Sequence, residues 1–180
     1  QIYTFQIGNR YQQFIVDTRA DLNLSGVVAL LEDPDIGILG VNLRFDSKFV
    51  MHHWNCIPTR LLDCMIMEQI IRCGAFVVGT QSERKSMIVR KHSGMRALAK
   101  RYLALDIDKD KDMRMSLWKT PMGQYDNRQL SYMAGDCIYP DLIARLQKPL
   151  IKERDLGAVV QLEHELIPVV ANMELVGIPF

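Results

Sequence analysis

Ile36-Gly37-Ile38-Leu39-Gly40-Val41-Asn42-Leu43-Arg44-Phe45-Asp46 decides how the chain is read. Its first six residues are a short continuous apolar run bounded by glycine and Asn42, the pattern of a strand buried on both faces. Asp46 to Trp54 then reads as a helix whose first turn carries the acid. A carboxylate there lies near the positive end of the helix dipole, which keeps it ionised and available to a cation. A buried strand feeding a helix belongs to an α/β domain whose sheet is covered by helices.

Working outward, a second acid stands far downstream in Ser131-Tyr132-Met133-Ala134-Gly135-Asp136. On a helix, Tyr132 and Asp136 are four residues apart and project from one face. Such a pair recurs in many ordinary helices, so it gains weight only beside Asn42-Leu43-Arg44-Phe45-Asp46. Two separated acids, one at a strand end and one on a late helix, suggest a metal site.

The remaining stretches supply a scaffold. Ile2 to Ile7 alternates, and after Gly8-Asn9-Arg10 the run Gln13 to Asp17 is rich in strand formers, which predicts a hairpin. Leu24 to Glu32 predicts a short helix capped by Ser25 and stopped at Asp33-Pro34-Asp35. Leu61 to Ile71 reads as a helix with 62, 65, 66 and 70 on one stripe, its methionines being core. Ala75 to Val78 reads as a strand. The basic residues Arg84-Lys85 and Arg90-Lys91-His92 read as a solvated loop, with a phosphate contact surface as the alternative. Met95 to Leu103 is an amphipathic helix with 95, 98, 99, 102 and 103 inward. Asp106 to Asp112 alternates acids and lysines without the glycine or closing acid of a calcium loop. Trp118 is expected to pack. Asp126 with Gln129 three residues on predicts a capping box opening the helix of Tyr132 and Asp136, and Pro140 is expected to kink that helix. Lys152 to Val176 is a long helical pattern with inward Leu156, Val159, Val160, Leu166, Val169, Val170 and Met173, ending at Gly177.

Composition sets the bounds. At 180 residues and 48% hydrophobic content, the chain suits one domain with a real core. A net charge of +1 argues against strong nonspecific attraction to nucleic acid, while leaving room for a local basic patch. Cys56, Cys64, Cys73 and Cys137 show no CxxC spacing, which suggests core or surface thiols in a reducing compartment rather than a disulfide scaffold. No apolar run reaches membrane-spanning length and no signal peptide is visible. The sequence opens in mid-pattern without an initiator Met, as a fragment would.

Taken in order, Asn42-x-x-Phe45-Asp46, Leu62-Asp63 opening a helix, Leu98-Ala99-x-x-Tyr102-Leu103 and Tyr132-x-x-x-Asp136 resemble the 3′–5′ exonuclease domains of the ribonuclease-H-like superfamily. The likeness is to the subgroup with four acids and a tyrosine, found in family A DNA polymerases and in ribonuclease D. It covers nearly the whole chain. The ending, Leu162-Glu163-x-x-Leu166-Ile167-Pro168-Val169-Val170-Ala171-x-Met173-Glu174-x-x-Gly177-Ile178, resembles the passage from exonuclease into polymerase domain, which favours a proofreading domain.

The resemblance implies an α/β fold, a ribonuclease-H-like mixed sheet flanked by helices, with residues 1–150 as exonuclease domain and 151–180 as a helix leading toward a polymerase domain. It implies that Asp136 binds one magnesium or manganese ion directly and that Asp46 holds a second, largely through water. Tyr132 would orient the attacking water, Asn42 would lie close to the terminal nucleotide, and Phe45 beside it would pack rather than stack on a base. The implied substrate is a single-stranded or frayed DNA 3′ end, in a cytoplasmic or other reducing DNA-containing compartment. The family's Asp-x-Glu motif has no counterpart before Ile2. Either that first strand lies upstream, or the domain is a nuclease-inactive scaffold; a ribonuclease D-like RNA exonuclease is the third reading.

Overall fold

The computed structural model describes residues 2–73, 92–107 and 111–177. The hairpin forms where alternation places it: β1 (Thr4–Gly8) and β2 (Gln13–Asp17) pair antiparallel, with Thr4 opposite Asp17. Asn9 closes the turn by accepting the backbone N–H groups of Tyr11 and Gln12 at 2.8 and 3.0 Å. Asp17 neither caps nor simply faces solvent. It is half-buried and gripped by Arg19, which also donates to the Thr120 carbonyl and the Tyr125 hydroxyl, both at 2.8 Å. That guanidinium holds the Asp17 carboxyl well below the usual carboxylate range.

In α1 (Ser25–Glu32) the cap position falls to Leu24 and not to Ser25, which is the first helical residue. Asn23 turns the chain there instead, its side chain accepting the Ser25 N–H at 3.0 Å. β3 (Ile38–Gly40) is shorter than the apolar run that contains it and leads into α2 (Leu43–Trp54). A Cβ at position 40 would stand 2.5 Å from Leu43 Cδ2, so a larger residue there would make the buried Leu43 side chain shift.

β4 (Leu61–Asp63) corrects the reading of Leu61–Ile71 as one helix. It pairs in parallel with β3, Gly40 opposite Asp63, and only then does α3 (Cys64–Ile71) begin. Asp63 divides the two: its backbone is extended and its side chain accepts the Met65 N–H at 2.8 Å, so it ends the strand as it caps the helix. The later start also rotates the buried stripe. Cys64, Met67, Glu68 and Ile71 face inward, while Leu62, Met65, Ile66 and Ile70 are half-buried.

α4 (Met95–Leu103) buries Leu98 and Ala99 completely, as its spacing predicts. α5 (Lys111–Lys119) was not legible in the alternating charges, and Trp118 on it does not pack, being 58% exposed. α6 (Asn127–Glu153) opens with the complete Asp126–Gln129 capping box and runs on through both Pro140 and Pro149. Pro140 does not end the helix. It is buried, and its carbonyl accepts the Cys64 thiol at 3.4 Å.

After a turn at residues 154–156, α7 (Gly157–Val176) ends at Gly177, whose N–H bonds the Met173 carbonyl at 3.0 Å. Its buried residues are Val160, His164, Ile167 and Ala171. Val159, Leu166, Val169 and Met173, expected inward, are exposed. Packing on α2, α3 and β4 selects the face that includes His164, a residue the apolar pattern passes over.

Among the described residues the strands form two two-stranded ladders, one antiparallel and one parallel, with α6 packed against β1, β2 and β3. The fold class is α/β as expected, and the main core joins α3, α4, α6 and α7 through Cys64, Met67, Leu98, Ile143 and Val160. The expected strand Ala75–Val78 and the basic residues 84–91 lie outside the described residues, as do residues 108–110. Among the described residues no helix is long and apolar enough to cross a membrane.

Candidate active site

Asn42 shapes the first half of the site. It adopts the left-handed conformation, φ 65° and ψ 42°, which asparagine tolerates better than most residues. Its N–H donates to Asp63 Oδ1 at 3.0 Å, and the Leu43 N–H donates to Asp63 Oδ2 at 2.7 Å. With the Met65 N–H, one buried carboxylate thus accepts three backbone donors from two helix starts. Burial pushes the Asp63 carboxyl up, while those three bonds pull it down. The far side of the clamp is His164: the Asp63 N–H donates to its Nε2 at 3.0 Å.

Asp46 rides in the first turn of the helix so anchored. It is an exposed residue, while neighbouring protein atoms strip water from its carboxyl. That crowding first, then the charges of Asp136 and Asp63, push the Asp46 carboxyl up to about 7. The expected acids are therefore neighbours: the charge of Asp136 on α6 reaches Asp46 on α2. Tyr132 and Asp136 are both half-buried, one turn apart on α6. Asn42 and Phe45 stand at the same end of α2 as Asp46, and Phe45 is 52% exposed with its ring 4.9 Å from that of Phe49.

Asp63 and His164 are the residues that sequence reasoning undervalued. Asp63 was legible as a helix cap, but its reach to Asn42 and Leu43 depends on the parallel pairing of β3 with β4. No spacing announces His164. Glu68 is a second buried carboxylate with no such signal, neutralised by Arg101, the Tyr102 hydroxyl and Gln147, and it lies outside the acid pair.

The donor set can be weighed against a divalent ion. Hard oxygen ligands from two elements suit magnesium, which keeps several waters and needs only one or two carboxylates. Two carboxylates close enough to raise the pKa of one of them are an arrangement that a cation relieves. Among the described residues no group of three or more His, Cys, Asp or Glu is placed to hold an ion. Asp46 and Asp136 therefore fit one hydrated ion, and a second would need other donors.

A family model described as 3′–5′ exonuclease matches residues 1–152. No curated protein matches the chain. Among solved structures, one described as the apo form of the nuclease superposes with TM-score 0.78 at 18% identity, covering 97% of this chain and 76% of that one. Brucella melitensis NrnC bound to pGG superposes with TM-score 0.70 at 16% identity, covering 97% and 83%. The same protein with bound Mg2+ gives 0.69 at 15% identity, with the same coverage. At these identities the likeness is one of fold.

Proposed function

The chain belongs to the 3′–5′ exonuclease family, and on that premise we propose that it removes nucleotides from the 3′ ends of single-stranded or frayed DNA, releasing 5′-monophosphates, as the proofreading domain of a family A polymerase. The observation that carries the reading is that the charge of Asp136 reaches Asp46 and, after burial, adds to the rise of the Asp46 carboxyl to about 7. In this reading residues 1–150 are the nuclease and residues 151–180 lead toward the polymerase.

Asp46 and Asp136 would hold magnesium or manganese. Such an ion supplies neutralisation of phosphate charge and a lowered pKa for a bound water. The protein's own part is positioning. Asp63 fixes the start of α2 and with it the position of Asp46. Tyr132, one turn from Asp136, presents a phenol that can hold the attacking water by a hydrogen bond. Asn42 and Phe45 border the place of the terminal nucleotide. A second ion, expected from the family, would take donors beyond the acids described.

Among the described residues no three acids are placed to share an ion, which favours one competing reading, a nuclease-inactive module that binds DNA beside a polymerase. Release of mononucleotides from 3′-labelled single-stranded DNA in manganese separates the two. The native chain should release them and Asp136→Ala should not, with circular dichroism unchanged. Normal release by Asp136→Ala would sink the site assignment; binding without release by the native chain would favour the module. Faster release from RNA of the same sequence would turn the reading toward RNA trimming.

A further inference from the structure

Phe45, Phe49 and His53 lie four residues apart on α2 and so share one face of that helix. The ring of Phe49 is 4.9 Å from that of Phe45 and 6.2 Å from that of His53, so the three form a continuous strip about two turns long. Phe45 is 52% and Phe49 36% exposed, and His53 is exposed as well. The strip begins at the residue preceding Asp46. The buried side of the same helix is supplied separately, by Leu43, Ser47 and Val50. None of the three rings belongs to a core cluster among the described residues.

The cations of α2 are occupied elsewhere. Lys48 and Arg44 meet Glu174 of α7 at 2.6 and 3.5 Å. The strip is thus aromatic without being basic, which suits base faces rather than phosphates. Bases stack on exposed aromatic side chains irrespective of sequence, because every base has a π face.

We propose that Phe45, Phe49 and His53 form a stacking track for single-stranded nucleic acid, holding the bases that precede the terminal nucleotide at the Asp46–Asp136 pair. The track rests on the exonuclease reading and extends it, by assigning ligands for the part of the strand that is not being cut. It also departs from the expectation that Phe45 only packs.

The test is binding of fluorescently labelled oligothymidylates of two, four and eight nucleotides in EDTA, where no cleavage occurs. Phe49→Ala and His53→Ala should each weaken the octamer about tenfold and leave the dinucleotide unchanged, since stacking is lost only where bases reach the strip. Phe49→Trp should bind as tightly as the native chain, and Phe49→Leu as weakly as Phe49→Ala, which separates ring stacking from apolar bulk. The slope of log affinity against log salt should stay the same in every variant, because no phosphate contact is removed. Equal octamer binding by native and Phe49→Ala proteins, or full rescue by Phe49→Leu, would overturn the track. If the native chain releases mononucleotides but its octamer affinity ignores Phe49, the track alone fails. If it neither binds the octamer nor releases mononucleotides, the exonuclease reading falls with it.

Discussion

Asp63 shows how much a single side chain can organise. It is 1% exposed and accepts backbone donors from Asn42, Leu43 and Met65. Replacing it by alanine leaves three N–H groups without that acceptor, where each unsatisfied buried donor costs about 1–3 kcal/mol. Asp63→Ala should therefore lose about 3 kcal/mol or more in urea unfolding, and manganese affinity should fall with it because α2 loses its anchor. Asp63→Asn should lose less, keeping one oxygen acceptor but turning a donor toward another N–H. Asp46 carries a prediction about pH. Its folded pKa of about 7 lies above the ordinary value of 3.8, so the metal-free folded state binds the proton more tightly than the unfolded chain does. That contribution to stability is complete below about pH 4 and is lost as pH rises through about 7. Melting of the metal-free protein should accordingly show a fall between pH 5 and 8 that Asp46→Asn removes. Manganese affinity should rise over the same window as the ion displaces the proton. The chemical residue types made Asp46 and Asp136 visible in the sequence. The clamp was hidden, because it exists only once Gly40 and Asp63 are placed opposite each other across two strands.

Elements were legible where a local signal decides them and obscure where tertiary packing does. The capping box of α6 is local, with Asp126 Oδ1 accepting the Gln129 N–H at 2.7 Å and the Gln129 side chain accepting the Asp126 N–H at 3.1 Å. Gln129 also donates to the Ser116 and Thr120 hydroxyls, so the same residue ties α5 to α6. Asp126→Ala should lower unfolding free energy by about 1 kcal/mol and the melting temperature by about 2–4 °C, with manganese affinity unchanged because Asp136 lies more than two turns into the helix. A loss of metal binding equal to that of Asp63→Ala would show that α6 is held far less firmly along its length than its packing indicates. β4 was obscure for the opposite reason. Three residues of strand before a helix carry too little alternation to be told from the helix itself, and the parallel partner that makes them a strand stands more than twenty residues earlier. α7 was misread in a similar way, since it is apolar on two sides and only its neighbours choose which side is buried. His164 on the chosen side is polar, so a purely apolar count points to the wrong face.

At the scale of the molecule, the last helix closes a site whose acids belong to earlier elements. α7 supports α2 in two chemically different ways, once through Asp63 and once directly, and the difference can be measured. At one end His164, 6% exposed, accepts the Asp63 N–H from a residue 101 positions earlier. At the other, Glu174 meets Lys48 and Arg44 on the surface. The buried contact removes a donor from water and gives it one partner, so His164→Ala leaves both a cavity and a buried N–H without that acceptor. The combined loss should be about 2–4 kcal/mol in urea unfolding. The surface pairs are screened by solvent, and Glu174→Ala should lose at most about 1 kcal/mol, less still at high salt. The two variants should also differ in metal binding. His164→Ala disturbs the residue that holds the start of α2, so manganese affinity should drop, whereas Glu174→Ala should leave it unchanged. Equal small effects from both would mean that α7 is an appended element whose contacts do not support the acid pair. A large effect confined to His164 would mean that the acid pair depends on the whole chain, from the hairpin side of α6 to the final helix, to keep its geometry.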